Sequence, residues 1–159
     1  MTTATLNKTV VEPKWNTTQI QEQVTRIYST QMMTAQQVLA KYGEQAMEEF
    51  SNAMRANKIN YYRSLNVTTP IELVKAMSEF ETNVFGSKIE IWGDDKSATL
   101  KYIQCGMWNA LKTHGKLNAQ QEEQMGAKFE QCMSAMTHEL GFKMETKFEG
   151  ESCTMTFSK

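Results

Sequence analysis

Three cysteines are the side chains in this sequence best equipped for chemistry. Cys105, Cys132 and Cys153 are an odd set with wide spacing, and no C-x-x-C pair is among them. Alternating patterns put Cys105 at the end of a strand and Cys153 on the inner face of the last strand. Helical spacing puts Cys132 on the inner side of a helix. Packing of those elements could bring the three thiols together. Three uses are then open: small apolar side chains in a core, a tetrahedral zinc site built from thiolates, or a nucleophile at Cys105. A nucleophile needs a base or cation nearby, and the only two imidazoles are His114, in a predicted loop, and His138, near the end of the Cys132 helix. His138 is six residues on from Cys132 and so points away from it. Asp94 and Asp95 are adjacent, but after Gly93 they read as turn residues rather than an acid–base pair. No phosphate-cradling glycine loop, nucleophile elbow or zinc-protease helix motif is present.

The elements that would position these residues can be read from periodicity. A first helix is predicted over about 17–41, opened by a capping box of Asn16 and Gln19, with Ile20, Val24, Ile27, Tyr28, Val38 and Leu39 as its apolar stripe. A second follows Gly43 to about Tyr62, with Met47, Phe50 and Met54 inward. Thr69-Pro70-Ile71-Glu72 combines N-cap, N1 proline and N3 acid, and starts a third helix with Leu73, Met77 and Phe80 inward. The period then changes to two. Residues 88–92 and 98–102 alternate around Gly93-Asp94-Asp95, a β-hairpin. A short helical or irregular piece spans 107–113. The last helix, about 118–140, carries Met125, Phe129, Cys132, Met133, Met136 and Leu140 inward. Residues 142–148 and 153–157 form a second hairpin around 149–151. The expected fold is α+β: one four-stranded antiparallel sheet from two hairpins, with helices on its apolar face. Residues 1–15 read as a mobile polar tail and 16–159 as a single domain.

Bulk properties exclude several classes. The formal net charge is −1, and no basic run appears, so a nucleic-acid footprint is not expected. No apolar stretch approaches the about 20 residues of a membrane-spanning helix. The N-terminal residues lack the apolar segment of a secretory signal. A cytoplasmic protein with reduced thiols is the expectation. Methionine is unusually frequent, at 12 residues. It serves as adaptable filling in a core or as the wall of an adaptable pocket.

Ile89-Glu90-Ile91-Trp92-Gly93-Asp94-Asp95, Cys105-Gly106, Cys132 on a helix and the terminal Phe148-x-Gly150-x-x-Cys153 hairpin together resemble the 4-vinyl reductase domain and aminothiazoline-carboxylate hydrolase-like superfamily. Some members of that group resemble core subunits of the TRAPP tethering complex. The resemblance covers roughly residues 20–159 in layout. It implies a hydrophobic pocket between sheet and helices for a small apolar molecule, such as a tetrapyrrole or its precursor, and frequent homodimers. The candidate lining is Phe80, Trp92, Trp108, Phe129 and Met136. In aromatic-sensing members a Cys and an acidic residue one turn before the helix Cys hold zinc; here that position is Phe129, and the nearest acid is Glu130. A hydrolase reading would give Cys105 the catalytic role on a small cyclic C–N or C–S substrate. An assembly protein is the remaining alternative, with Trp15 in the segment Val10–Trp15 as an apolar anchor for a partner chain.

Overall fold

The computed structural model describes residues 12–115, 117–150 and 152–159. The tail assignment falls mostly on residues 1–11, and one residue of the second turn is Glu151; both lie outside the described residues.

Each helix starts where side-chain chemistry can satisfy its free N–H groups. Helix α1 (Thr17–Leu39) begins at Asn16, whose side chain accepts from the Gln19 N–H while Gln19 caps in return, and it runs into a 3₁₀ turn at Ala40–Tyr42. Gly43, at φ 91°, breaks the chain into α2 (Glu44–Ser64). Helix α3 (Pro70–Phe85) has the Thr69–Glu72 capping box with proline at its first turn, and Gly86 closes it in the left-handed conformation. A cap of this kind is worth about 1 kcal/mol. Helix α4 (Gly106–Gly115) is longer than the sequence suggested, and it includes His114, which the sequence had placed in a loop. Helix α5 (Ala119–Glu139) starts on the Asn118–Gln121 box.

The strands are β1 (Lys88–Gly93), β2 (Ser97–Gln104), β3 (Lys143–Glu149) and β4 (Ser152–Ser158). They form one antiparallel sheet in the order β1-β2-β4-β3. The last strand therefore sits in the middle, beside β2. Charge explains this choice. Strand β4 reads Ser-Cys-Thr-Met-Thr-Phe-Ser and carries no charge, whereas β3 alternates Lys and Glu, as suits a solvated edge. Pairing aligns three inward rows: Ile89–Tyr102–Cys153–Phe148, Ile91–Leu100–Met155–Thr146 and Gly93–Ala98–Phe157–Met144. Residues between them face outward, including Trp92, Thr99 and Thr156; the last two hydroxyls are bonded at 3.1 Å.

Helices cover the inward rows. Ile59 and Tyr62 of α2, Leu73, Val74 and Met77 of α3, and Met133 and Met136 of α5 meet Ala98, Leu100, Tyr102, Met155 and Phe157 in one buried cluster. Full burial of one such side chain is worth about 2–3 kcal/mol. Methionine serves this core directly at Met77, Met133, Met136 and Met155. Helix α1 lies to one side, on α3 and α4. The apolar stripe read from the sequence faces inward only in part: Val24, Tyr28 and Leu39 are half-buried, with Tyr28 packed on Phe85 at 5.5 Å, whereas Ile20, Ile27 and Val38 are exposed and Thr25 and Ser29 are buried. Among the described residues no helix is long and apolar enough to cross a membrane.

Candidate functional site

The N-terminus of α4 is the junction where the chemically capable residues gather. Cys105 stands between β2 and α4, and its Sγ accepts the Trp108 N–H at 3.4 Å, in the manner of an N-cap. Burial raises its thiol to about 11; the Trp108 and Met107 N–H groups oppose the rise, and the Glu81 carboxylate adds to it. Cys153 lies on the inward row of β4, opposite Tyr102. Burial lifts its thiol to about 11, with smaller contributions from Cys105 and Glu130.

Cys132 stands apart from this pair. It is half-buried on α5, and its electrostatic neighbour is Tyr28 of α1. The proposed convergence is thus limited to Cys105 and Cys153. Among the described residues no group of three or more His, Cys, Asp or Glu side chains is arranged to hold a metal ion, and the Cys105–Cys132–Cys153 zinc set is corrected accordingly.

Glu81 is the residue that reading the sequence missed. It lies one turn beyond Met77 on the buried stripe of α3, so a carboxylate at a core-facing position was the available signal. Ser87 donates its hydroxyl to Glu81 Oε2 at 3.2 Å and its backbone N–H to Glu81 O at 3.2 Å. The same hydroxyl accepts the Gly106 N–H at 3.0 Å. One serine thereby ties the end of α3 to the start of α4. Burial raises the Glu81 carboxyl pKa, against the opposing pull of Lys58 and of the Ser87 hydrogen bond.

The sign of the linkage follows. A carboxyl whose pKa is higher folded than unfolded holds its proton more tightly in the folded chain. Stability is therefore lost as pH rises from the unfolded carboxylate pKa through the raised folded one. The Glu81→Gln variant is expected to lose this part of the pH slope and to gain stability relative to the parent at neutral pH. Urea midpoints measured from pH 4 to pH 8 on both proteins check this; parallel curves would refute it.

The candidate apolar lining does not converge. Met136 is part of the solid core. Phe80 is partly exposed and packs edge-on to Tyr61 and Phe85, with ring centroids 6.0 and 5.6 Å away. Phe129 is exposed on α5 and not turned to the core. Trp92 lies half exposed on the sheet face away from the helices, because its partner in the ladder is the outward Thr99. Trp108 is half-buried on the first turn of α4. The space between sheet and helices is filled by Leu100, Met136, Met155 and Phe157, each almost fully buried.

A cleft of about 360 Å³ opens instead between α1 and α4. Phe85, Gly86, Gln104 and Gly106 border it next to the Glu81–Ser87 network, and Ala110 adds apolar surface. Gln21 fixes its α1 wall: Nε2 donates to Thr82 O at 3.0 Å and Asn83 O at 3.1 Å, which caps the end of α3. Gln104, Asn109 and His114 line the cleft with side chains that have no hydrogen-bond partner among the described residues. Glu22 supplies the only carboxylate among the lining residues. A smaller hollow of about 130 Å³ lies between α1 and α5, bordered by Met33, Leu117 and Met125.

These features define an α+β protein with a filled core and a lateral, polar-edged cleft at a helix N-terminus. Comparison with protein-family models gives no match, and neither does comparison with curated proteins.

Proposed function

We propose that this chain is a small-molecule binding module and that the α1–α4 cleft is its ligand site. The observation that carries this reading is the set of uncommitted polar side chains, Gln104, Asn109 and His114, converging on a recess of about 360 Å³. Small-molecule sites begin near this volume and combine apolar walls with a few placed polar groups. Phe85 and Ala110 would take the apolar body of the ligand, and the amide, imidazole and carboxylate edges would select its polar groups. The ligand class is a compact molecule with both characters, smaller and more polar than a tetrapyrrole. Binding without catalysis is favoured over the hydrolase reading by the chemistry of Cys105. A thiol raised from 9.0 to about 11 presents about a hundredfold less thiolate at neutral pH than an ordinary one.

Amide NMR spectra of the chain titrated with a fragment library of heteroaromatic amides and alcohols test this. Shifts are expected at Gln21, Gln104, Asn109 and Thr113, and Thr113→Trp, which fills the recess from an exposed helix position, is expected to weaken the best fragment at least tenfold. Shifts clustered instead around Phe129 and Phe148, indifferent to Thr113→Trp, would move the site to an apolar surface and sink the proposal.

A further inference from the structure

The aromatic contacts among the described residues form one chain of rings. Tyr28 of α1 meets Phe85 of α3 with centroids 5.5 Å apart, and Phe85 meets Phe80 at 5.6 Å. Phe80 meets Tyr61 of α2 at 6.0 Å, and Tyr61 meets Tyr62 at 5.4 Å. Neighbouring planes are turned by 57° to 80°, so no two rings stack face to face. Glu81 stands between Phe80 and Phe85 on α3. Burial first and the Glu81 carboxylate second raise the hydroxyl pKa of Tyr28, Tyr62 and Tyr102, which lie on α1, α2 and β2. Both ends of the ring chain therefore feel this carboxylate, and the rings bend around it. The arc runs from solvent to interior: Tyr61 and Phe80 are 43% and 36% exposed, Tyr62 only 7%.

Edge-to-face packing accounts for the rings but not for the polar atoms they surround. Ser87 gives Glu81 its one side-chain hydrogen bond, to Oε2. Glu81 Oε1 and the hydroxyls of Tyr62 and Tyr102, the latter 5% exposed, have no hydrogen-bond partner among the described residues. Nor are they sealed: among those residues only Thr146 Oγ1 combines a fully buried side-chain oxygen with the lack of a partner. Solvent thus reaches one carboxylate oxygen and two phenolic oxygens behind an aromatic wall. An anion would be repelled there by Glu81, and an apolar molecule would leave the three oxygens unpaired. We propose that Glu81 and this ring arc form a binding site for a small organic ammonium ion. The nitrogen donates to Glu81 Oε1 and to the two hydroxyls, which can accept, and the carbon body lies against ring faces that attract cations. Lys58 of α2 is the cation that acts on Glu81, but it forms no ion pair with it, so the inner position is left to a ligand. The site shares only Phe85 with the lining of the α1–α4 cleft and stands without the reading of that cleft.

The test is calorimetric titration of the full chain at pH 8 with phenethylammonium chloride, with 2-phenylethanol as its neutral match. The amine is expected to bind, and the alcohol to bind at least about tenfold more weakly. Glu81→Gln keeps an oxygen for Ser87 and is expected to fold, yet to lose at least about tenfold in affinity for the amine. Lys58→Gln, at an exposed position of α2, removes a competing charge and is expected to tighten binding about threefold. Thr113→Trp, which fills the cleft, is expected to leave the affinity unchanged. A parent that does not bind the amine, equal binding of the alcohol, an affinity that survives Glu81→Gln, or no gain in Lys58→Gln would each overturn the site. Loss of the amine in Thr113→Trp would overturn it as well, by moving the cation to Glu22 in the cleft. Fragment shifts at Gln104 and Asn109 are expected to persist in Glu81→Gln, which separates failure of this site from failure of the cleft reading.

Discussion

Gly106→Ala is expected to cost about 3 kcal/mol or more of folding stability, the upper end of what overpacking produces. The first turn of α4 passes so close to the end of α3 that a Cβ at this position would fall inside the contact shell of Phe85 O, 2.8 Å from Phe85 C and 3.4 Å from Ser87 N. All three are backbone atoms, so no side chain can swing aside. Relief requires α4 to move away, which breaks the Gly106 N–H to Ser87 Oγ bond and leaves Ser87 to hold Glu81 alone. The cleft is bordered by Gly106 and Phe85, so the same movement changes its shape. Urea denaturation of the purified variant, compared with an Asn109→Ala control on the exposed face of the same helix, measures the effect. A loss no larger than in the control would mean that the α3–α4 approach is soft and that the Glu81–Ser87–Gly106 link does not fix the site.

How much of this was readable in advance depends on which interaction decides each feature. The starts of α1, α3 and α5 were legible because capping is local: Asn16, Thr69 and Asn118 each meet their N3 partner within one turn. The hairpins were legible because alternation and turn residues are also local. Strand order was not worked out, although the uncharged β4 and the charged β3 carry the signal for centre and edge. The direction in which α1 faces was only partly legible, since Val24, Tyr28 and Leu39 of its apolar stripe are half-buried but Ile20, Ile27 and Val38 are exposed. Periodicity says which residues share a face but not which face a neighbour will cover. Here α3 and α4 press on Thr25 and Ser29, whose hydroxyls bond back to Gln21 O at 2.8 Å and Arg26 O at 3.1 Å and so enter the interior with their polar atoms satisfied. Small side chains permit a close approach that Ile20 or Ile27 would prevent. The cleft itself follows from that approach and from the α3–α4 junction, both products of tertiary packing, so no motif announced Gln104, Asn109 or His114 as a group.

Phe157→Ala is expected to destabilise the chain by about 3–5 kcal/mol, the range for truncating a fully buried aromatic residue. Phe157 is 0% exposed, lies between Ala98 and Met144 in the inward row of the sheet, and belongs to the cluster with Leu73, Met133 and Met136. The size of the loss distinguishes a filled interior from one with a natural hollow. In a filled core the removed ring leaves a void that its neighbours close only in part, and the cost rises with the volume left behind. If apolar space already adjoined this position, surrounding side chains would rearrange into it and the cost would drop toward the transfer term alone, about 2 kcal/mol. A second consequence separates the two cases without reference to stability. The variant's void would be apolar and dry, so it is expected to take up xenon or benzene, and saturating benzene is expected to restore part of the lost melting temperature. The parent is expected to show no such rise. Stabilisation of the parent by benzene would return the apolar chamber between sheet and helices to consideration, and with it a ligand bound behind the thiols rather than in the cleft.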